Sequence, residues 1–150
     1  MSLKKSAEMT IFGALISFAM IMILCPVFEF FQISKRADVT EQSIRSALID
    51  TCTADSIVRY NDVKYEYAEN YQLDADKYIS SIFHSLGYVQ NGAGWKNGNT
   101  SITDITLTFT GTTNTFELRY KLNTPYKVLN KAIKDVTVEK QNIVQWDYIA

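Results

Sequence analysis

The sequence has a single histidine, His84, only two cysteines, Cys25 and Cys52, and no Cys-x-x-Cys pair. Zinc sites draw on several His and Cys ligands, so no metal site is expected. No Gly-x-Ser-x-Gly turn is present, and His84 falls on the surface side of its helix with no nucleophile placed beside it. The glycines of NGAGWKNGN lack both the preceding strand and the Lys-Ser/Thr ending of a phosphate loop. Asp74 and Asp76 are explained by helix capping. No catalytic residue, no cofactor and no enzyme activity are expected.

Charge of one sign is also missing. The net charge is −1, and outside residues 1–28 there remain 13 basic and 15 acidic side chains. Without a basic stripe or interleaved Arg and aromatic residues, nucleic acid is not an expected partner. Proline occurs only at Pro26 and Pro125, and from Val27 to Asn91 the sole glycine is Gly87. Little in that stretch would break a helix.

The most informative absence is of charge between Met9 and Phe28. MTIFGALISFAMIMILCPVF has no ionisable acid or base over 20 positions. As a helix it spans about 30 Å, the thickness of a bilayer's hydrocarbon core. The mean hydropathy of the whole chain, −0.08, hides this segment because the remainder is polar. A cleaved signal would be shorter and would end in a small-x-small site, whereas this run ends in Cys25-Pro26-Val27-Phe28. The reading is a single membrane-spanning helix over 9–31. Lys4 and Lys5 hold residues 1–8 in the cytoplasm, and the C-terminal part lies outside it. Pro26 near the far end is the expected kink. Glu8, at the head of the run, suits a helix N-terminus; it also suits pairing with a cation on a neighbouring helix.

Beyond Phe31, the residues Ile33, Ala37, Ile44, Ala47, Leu48 and Cys52 recur at helical intervals between charged positions. They form an amphipathic stalk helix over 32–58, with helix expected to about residue 55. Its apolar stripe can pack on the chain's own domain or on neighbouring stalks. Cys25 and Cys52 would lie about 40 Å apart on such a helix, too far for a disulfide. Cys52 is read as a buried thiol, with an intermolecular bridge as its other use.

Residues 59–150 form the extracytoplasmic domain. Arg59 to Tyr71 reads as a loop or ragged strand. Asp74 caps a helix bearing Tyr78, Ile79, Ile82, Phe83 and Leu86 on one face, with Leu73 and Tyr78 placed as a staple and Gly87 as the stop. YVQNGAGWKNGNT reads as a hairpin or mobile loop anchored by Trp95. ITLTFT and TFELRYKL alternate as two antiparallel strands joined by Gly111 to Asn114. Thr124-Pro125 predicts a break, followed by a short turn or helix holding Val128, Leu129 and Ala132. A last strand is expected from about Asp135 to Trp146. The expected fold is α+β: a long N-terminal transmembrane and stalk helix, then a small domain with one helix packed on a three- or four-stranded antiparallel sheet.

With these features in place, SAEMTIFGALISFAMIMILCPVFEF followed by QISKRADVTEQSIRSALID resembles the TadE-type pseudopilins of tight-adherence secretion systems, relatives of type IV pilins. FELRYKLNTPYKV and DVTVEKQN are similar to the strands that end many of them. The resemblance implies a structural role in assembling or priming a pilus-like or secretion apparatus, with membrane lipid and other pilin-like subunits as partners. It also implies that Glu8 registers neighbouring subunits. Lys5-Ser6-Ala7 departs from the pattern, since no glycine precedes the acid. The other reading is a membrane-anchored extracellular binding module, which would contact a ligand through its tyrosine-rich and glycine-rich loops.

Overall fold

A computed structural model describes residues 2–64, 74–110, 115–128 and 130–145. Helix α1 spans Ser2–Lys64 without interruption. At 1.5 Å per residue its 63 residues extend about 95 Å. It passes the expected end near residue 55 and includes Arg59–Lys64, expected to be loop. Once a helix exists, each added residue contributes a backbone bond at low cost, and nothing here opposes extension. The remainder of the tyrosine-rich stretch, from residue 65, lies outside the described residues, as does Leu73.

Helix α2 spans Ala75–Ser85. Asp74 caps it, its side chain accepting a hydrogen bond from the Lys77 backbone N–H at 3.1 Å. At the other end the Tyr88 N–H reaches the Phe83 carbonyl at 2.9 Å and the Gly87 N–H reaches that of His84 at 3.0 Å. This is the paired-bond helix stop that needs a left-handed residue, and Gly87 supplies it with φ 77°.

Five strands follow: β1 Val89–Asn91, β2 Gly94–Asn97, β3 Thr100–Thr110, β4 Thr115–Val128 and β5 Lys131–Gln145. They form one antiparallel meander in chain order. The fold is α+β as expected, with five strands in place of three or four. The extra strands come from the glycine-rich segment, which is ordered into two tight turns. Asn91 pairs Gly94 and Asn97 pairs Thr100, leaving two residues in each turn, the first being Gly92 and Gly98 with positive φ. Gly94 has a different reason for lacking a side chain: a Cβ there would stand 2.5 Å from the Ile102 carbonyl oxygen.

Pro125 does not break β4. It pairs with Asp135, and the hairpin continues to Val128 opposite Lys131. The last paired β3 residue is Ser101, opposite Asn123, so beyond Asn123 one edge of β4 is free and a missing N–H costs no bond there. Of the turn or helix expected around Val128 and Ala132, the turn forms, at Asn130 between the two strands; Val128 and Ala132 themselves are strand, and β5 starts at Lys131 rather than near Asp135. Leu129, the linker Gly111 to Asn114, and Trp146 lie outside the described residues.

A bulge sets the faces of β3. Between the pairs Thr103–Lys121 and Thr106–Arg119, β3 has one residue more than β4, and Asp104 takes φ 52°. Ile102 and Leu107, five apart, would otherwise face opposite ways. The bulge returns both to the covered face, opposite Leu122 and Leu118.

That face holds the core. Ile102, Leu107, Phe116, Leu118, Tyr120, Leu122 and Val144 of the sheet are buried with Tyr78, Ile82 and Phe83 of α2 and with Ala37, Ile44, Ala47, Leu48 and Cys52 of α1. Phe83 stacks on Trp95 with centroids 5.7 Å apart, and Tyr78 stacks on Phe116 at 5.9 Å. The outer face is polar. There Lys121 bonds Asp104 at 2.8 Å, and Arg119 pairs with Glu117. An antiparallel sheet covered on one side accounts for this alternation.

Candidate functional site

The long helix is two surfaces in one element. From Ile33 onward its stripe is buried: Ile33 and Ala37 are nearly inaccessible, and Ile44, Leu48 and Cys52 fully so. Ala37, Ile44, Ala47, Leu48 and Cys52 pack into the chain's own domain. N-terminal to that, every large apolar residue from Met9 to Phe31 is exposed, including Phe12, Ile16, Phe18 and Leu24. The helix over Lys4–Ala54 is long and apolar enough to cross a membrane, and none of its most apolar stretch is buried. This is compatible with a single-pass membrane anchor. A soluble protein's core helix would have this surface covered.

Two contacts fix the domain along the helix. The Tyr126 hydroxyl donates to the Pro26 carbonyl at 3.0 Å. Lys140 reaches Glu41 at 2.6 Å and Asp38 at 3.2 Å. Lys140 lies on β5 opposite Tyr120 of β4. Along the helix Pro26 to Glu41 is about 22 Å, and along β4 Tyr126 to Tyr120 is about 20 Å. The β4–β5 hairpin thus runs beside α1 in register, with its turn aimed at the N-terminal, apolar half. Pro26 sits inside the helix, where it leaves the Met22 carbonyl without its usual N–H partner. Its own carbonyl has a second lone pair free for Tyr126.

At the hairpin end, Leu24, Cys25, Val27, Phe28 and Glu29 of α1 face Val128 and Asn130 across a groove of about 690 Å³. The groove is mostly apolar. Glu8 is exposed at the opposite end of the apolar run, among Lys5, Ser6, Met9, Thr10 and Phe12. Glu8 therefore heads the apolar run, Pro26 lies within it, and the stripe Ile33, Ala37, Ile44, Ala47, Leu48 is buried farther along the helix. The structure does not bring these residues into one site.

The electrostatics of the stalk depend on burial. Lys140 is held protonated above its ordinary range, chiefly by its hydrogen bond to Glu41, with partial burial opposing. Burial raises the Tyr120 phenol, offset in part by its hydrogen bond with Asn142, whose side-chain amide donates at 3.2 Å. Burial likewise raises Tyr88, which a hydrogen bond with Thr40 of α1 partly offsets. Lys140 and Tyr88 tie the domain to the helix, and Tyr120 and Lys140 also border a shallow polar cavity of about 440 Å³ with Asp104, Arg119, Lys121 and Glu139. His84 is exposed, with its ring edge-on to Trp95 at 4.9 Å. Among the described residues, no group of three or more His, Cys, Asp or Glu could hold a metal.

Sequence reasoning missed Tyr126 and Lys140 as helix contacts. Both lie about a hundred positions from their partners, and neither spacing nor composition signals such a pair. The chain matches no known protein family, and no curated protein and no solved structure matches it.

Proposed function

We propose that this chain is a structural, single-pass membrane subunit of the TadE-like pseudopilin kind. Residues 1–8 lie in the cytoplasm, residues 9–31 in the bilayer and the α+β domain outside. Its bare helix packs against other pilin-like subunits to assemble or prime a tight-adherence-type pilus or secretion apparatus. The observation that carries this reading is the division of α1. The stripe that could have joined neighbouring stalks is occupied by the chain's own sheet, whereas the large apolar side chains from Met9 to Phe31 are exposed, the hairpin tip touching the helix only around Pro26. Exposed Glu8 heads that surface, where a carboxylate next to hydrocarbon gains from a cation on a neighbouring copy. No catalytic residue or cofactor enters this role.

The test is oxidative cross-linking in native membranes of Ile16→Cys in a Cys25→Ser background, where Cys52 is buried. Disulfide-linked dimers are expected, and fewer of them when Glu8→Gln is added. Absence of any dimer across a scan of cysteines at exposed positions 11–23 overturns the reading in favour of a monomeric anchored binding module.

A further inference from the structure

We propose that the tip of the β4–β5 hairpin is a second membrane contact, seated at the boundary between headgroups and hydrocarbon of the bilayer that holds α1, where it binds anionic phospholipid. The inference rests on the reading of residues 9–31 as a membrane span and adds a lipid site to it.

The geometry leaves the tip no other surroundings. A hydrocarbon core of about 30 Å that begins at Met9 ends near Phe28. Tyr126 is bonded to Pro26 inside that interval, and Val128 lies two residues further along a strand that advances about 3.3 Å per residue. Val128 and Asn130 consequently stand beside Leu24 and Cys25. α1 cannot occupy lipid as far as Phe28 without carrying the hairpin tip to the same depth.

The chemistry of the tip suits that position. Ile133, the additional residue where β5 bulges against β4, is 64% exposed. Lys127, Lys131 and Lys134 surround it, with Lys131 opposite Val128 and Lys134 opposite Tyr126. Two carboxylates are nearby: Asp135 follows Lys134 away from the turn, and Glu29 lines the groove that Val128 and Asn130 face. Three lysines against these two acids leave the tip region net basic. Lysine stems can lie along apolar surface while their ammonium groups reach phosphate. The groove between the hairpin and Leu24–Glu29, about 690 Å³ and mostly apolar with Glu29 at its outer end, is large enough for an acyl chain. Basic side chains at a membrane surface favour anionic over zwitterionic lipid.

The test uses the full chain in nanodiscs of phosphatidylcholine alone and of phosphatidylcholine with phosphatidylglycerol. In the Cys25→Ser background, single cysteines at Ile133, Thr108 and Ile16 carry a fluorophore. Iodide probes water exposure, and nitroxide lipids labelled at headgroup level and along the acyl chain probe lipid exposure. Thr108 is exposed near the other end of the sheet and serves as the aqueous reference; Ile16 is the mid-span reference. Position 133 is expected to be several-fold less open to iodide than position 108 and quenched by headgroup-level nitroxide. Phosphatidylglycerol should strengthen that quenching, and the combined Lys127→Gln, Lys131→Gln and Lys134→Gln variant should remove the increase.

If position 133 is as open to iodide as position 108 while position 16 is quenched by acyl-chain nitroxide, the hairpin proposal is overturned and the membrane span stands. If position 16 is also open to iodide, the span itself fails and the lipid site with it. Protection of position 133 that is indifferent to phosphatidylglycerol overturns the anionic-lipid assignment.

Discussion

The hydroxyl of Tyr126 and the carbonyl of Pro26, 100 positions apart in the chain, meet at 3.0 Å. The bond joins the end of the sheet to the membrane-length half of the helix. Proline in a helix is usually considered for the bond it removes; here its carbonyl is the acceptor that ties the domain down. Tyr126 precedes the hairpin's turn, so this bond bears directly on how firmly that end is held.

Tyr126→Phe tests that role directly. The ring and its packing remain and one hydrogen bond is lost, a change of about 1 kcal/mol. Amide exchange of β4–β5 residues near the turn, measured in nanodiscs, should rise by about fivefold, with the core around Leu118 unaffected. Unchanged exchange at the turn would mean that the bond does not hold the hairpin.

Lys140 and the two buried tyrosines, Tyr88 and Tyr120, favour the folded domain at neutral over alkaline pH. Lys140 binds its proton more tightly in the fold than its ordinary 10.5, and Tyr88 and Tyr120 more tightly than 10.0. In each case the folded state retains protons that the unfolded chain releases. Stability from Lys140 is therefore fully present below the unfolded value and lost as pH rises through the folded one, and the tyrosines act in the same direction. The urea midpoint of the full chain in micelles should be flat below about pH 9 and fall above about pH 10. Lys140→Met should cost on the order of 1 kcal/mol at neutral pH and make the alkaline fall shallower. Glu41→Gln should matter more than Asp38→Asn, because Glu41 is closer to Lys140 and its side chain is 31% exposed against 67%. A midpoint that rises with pH would contradict this account.

The two faces of the stalk should differ sharply. Leu48 is fully buried and Val39 is 55% exposed. Leu48→Ala should destabilise the domain by roughly 2–5 kcal/mol, the cost of a methylene cavity in a core that cannot fully collapse. Val39→Ala should stay within about 0.5 kcal/mol. Chemical denaturation followed by tyrosine and tryptophan fluorescence distinguishes them. Equal effects at the two positions would mean that the stripe does not carry the helix-to-sheet packing.

Much of this architecture was legible from local pattern. Ile44, Leu48 and Cys52 share one helical face because 3.6 residues make a turn, and that face is the buried one. Asp74 and Gly87 bracket α2 through bonds that reach only three to five residues. Pattern failed where a distant strand decided the outcome. Pro125 marks a break in an isolated segment, yet it continues β4 because β3 has already ended beside it. The glycine-rich stretch read as either a hairpin or a mobile loop, and Trp95 stacked on Phe83 decides for the hairpin. Ile102 and Leu107 are out of phase in the sequence, and only the bulge at Asp104 shows that they share a face.

The sequence by itself determined that one helix would be apolar for a bilayer's thickness and amphipathic beyond it, since both properties follow from residue type at a fixed rise and turn. It also determined that an α+β domain would follow. Only the tertiary structure decided that the stalk's stripe belongs to the chain's own sheet, and that Tyr126 and Lys140 clamp the hairpin along Pro26 and Glu41. Those contacts join residues about a hundred positions apart, and such pairs are set by how finished elements pack in space rather than by any local preference.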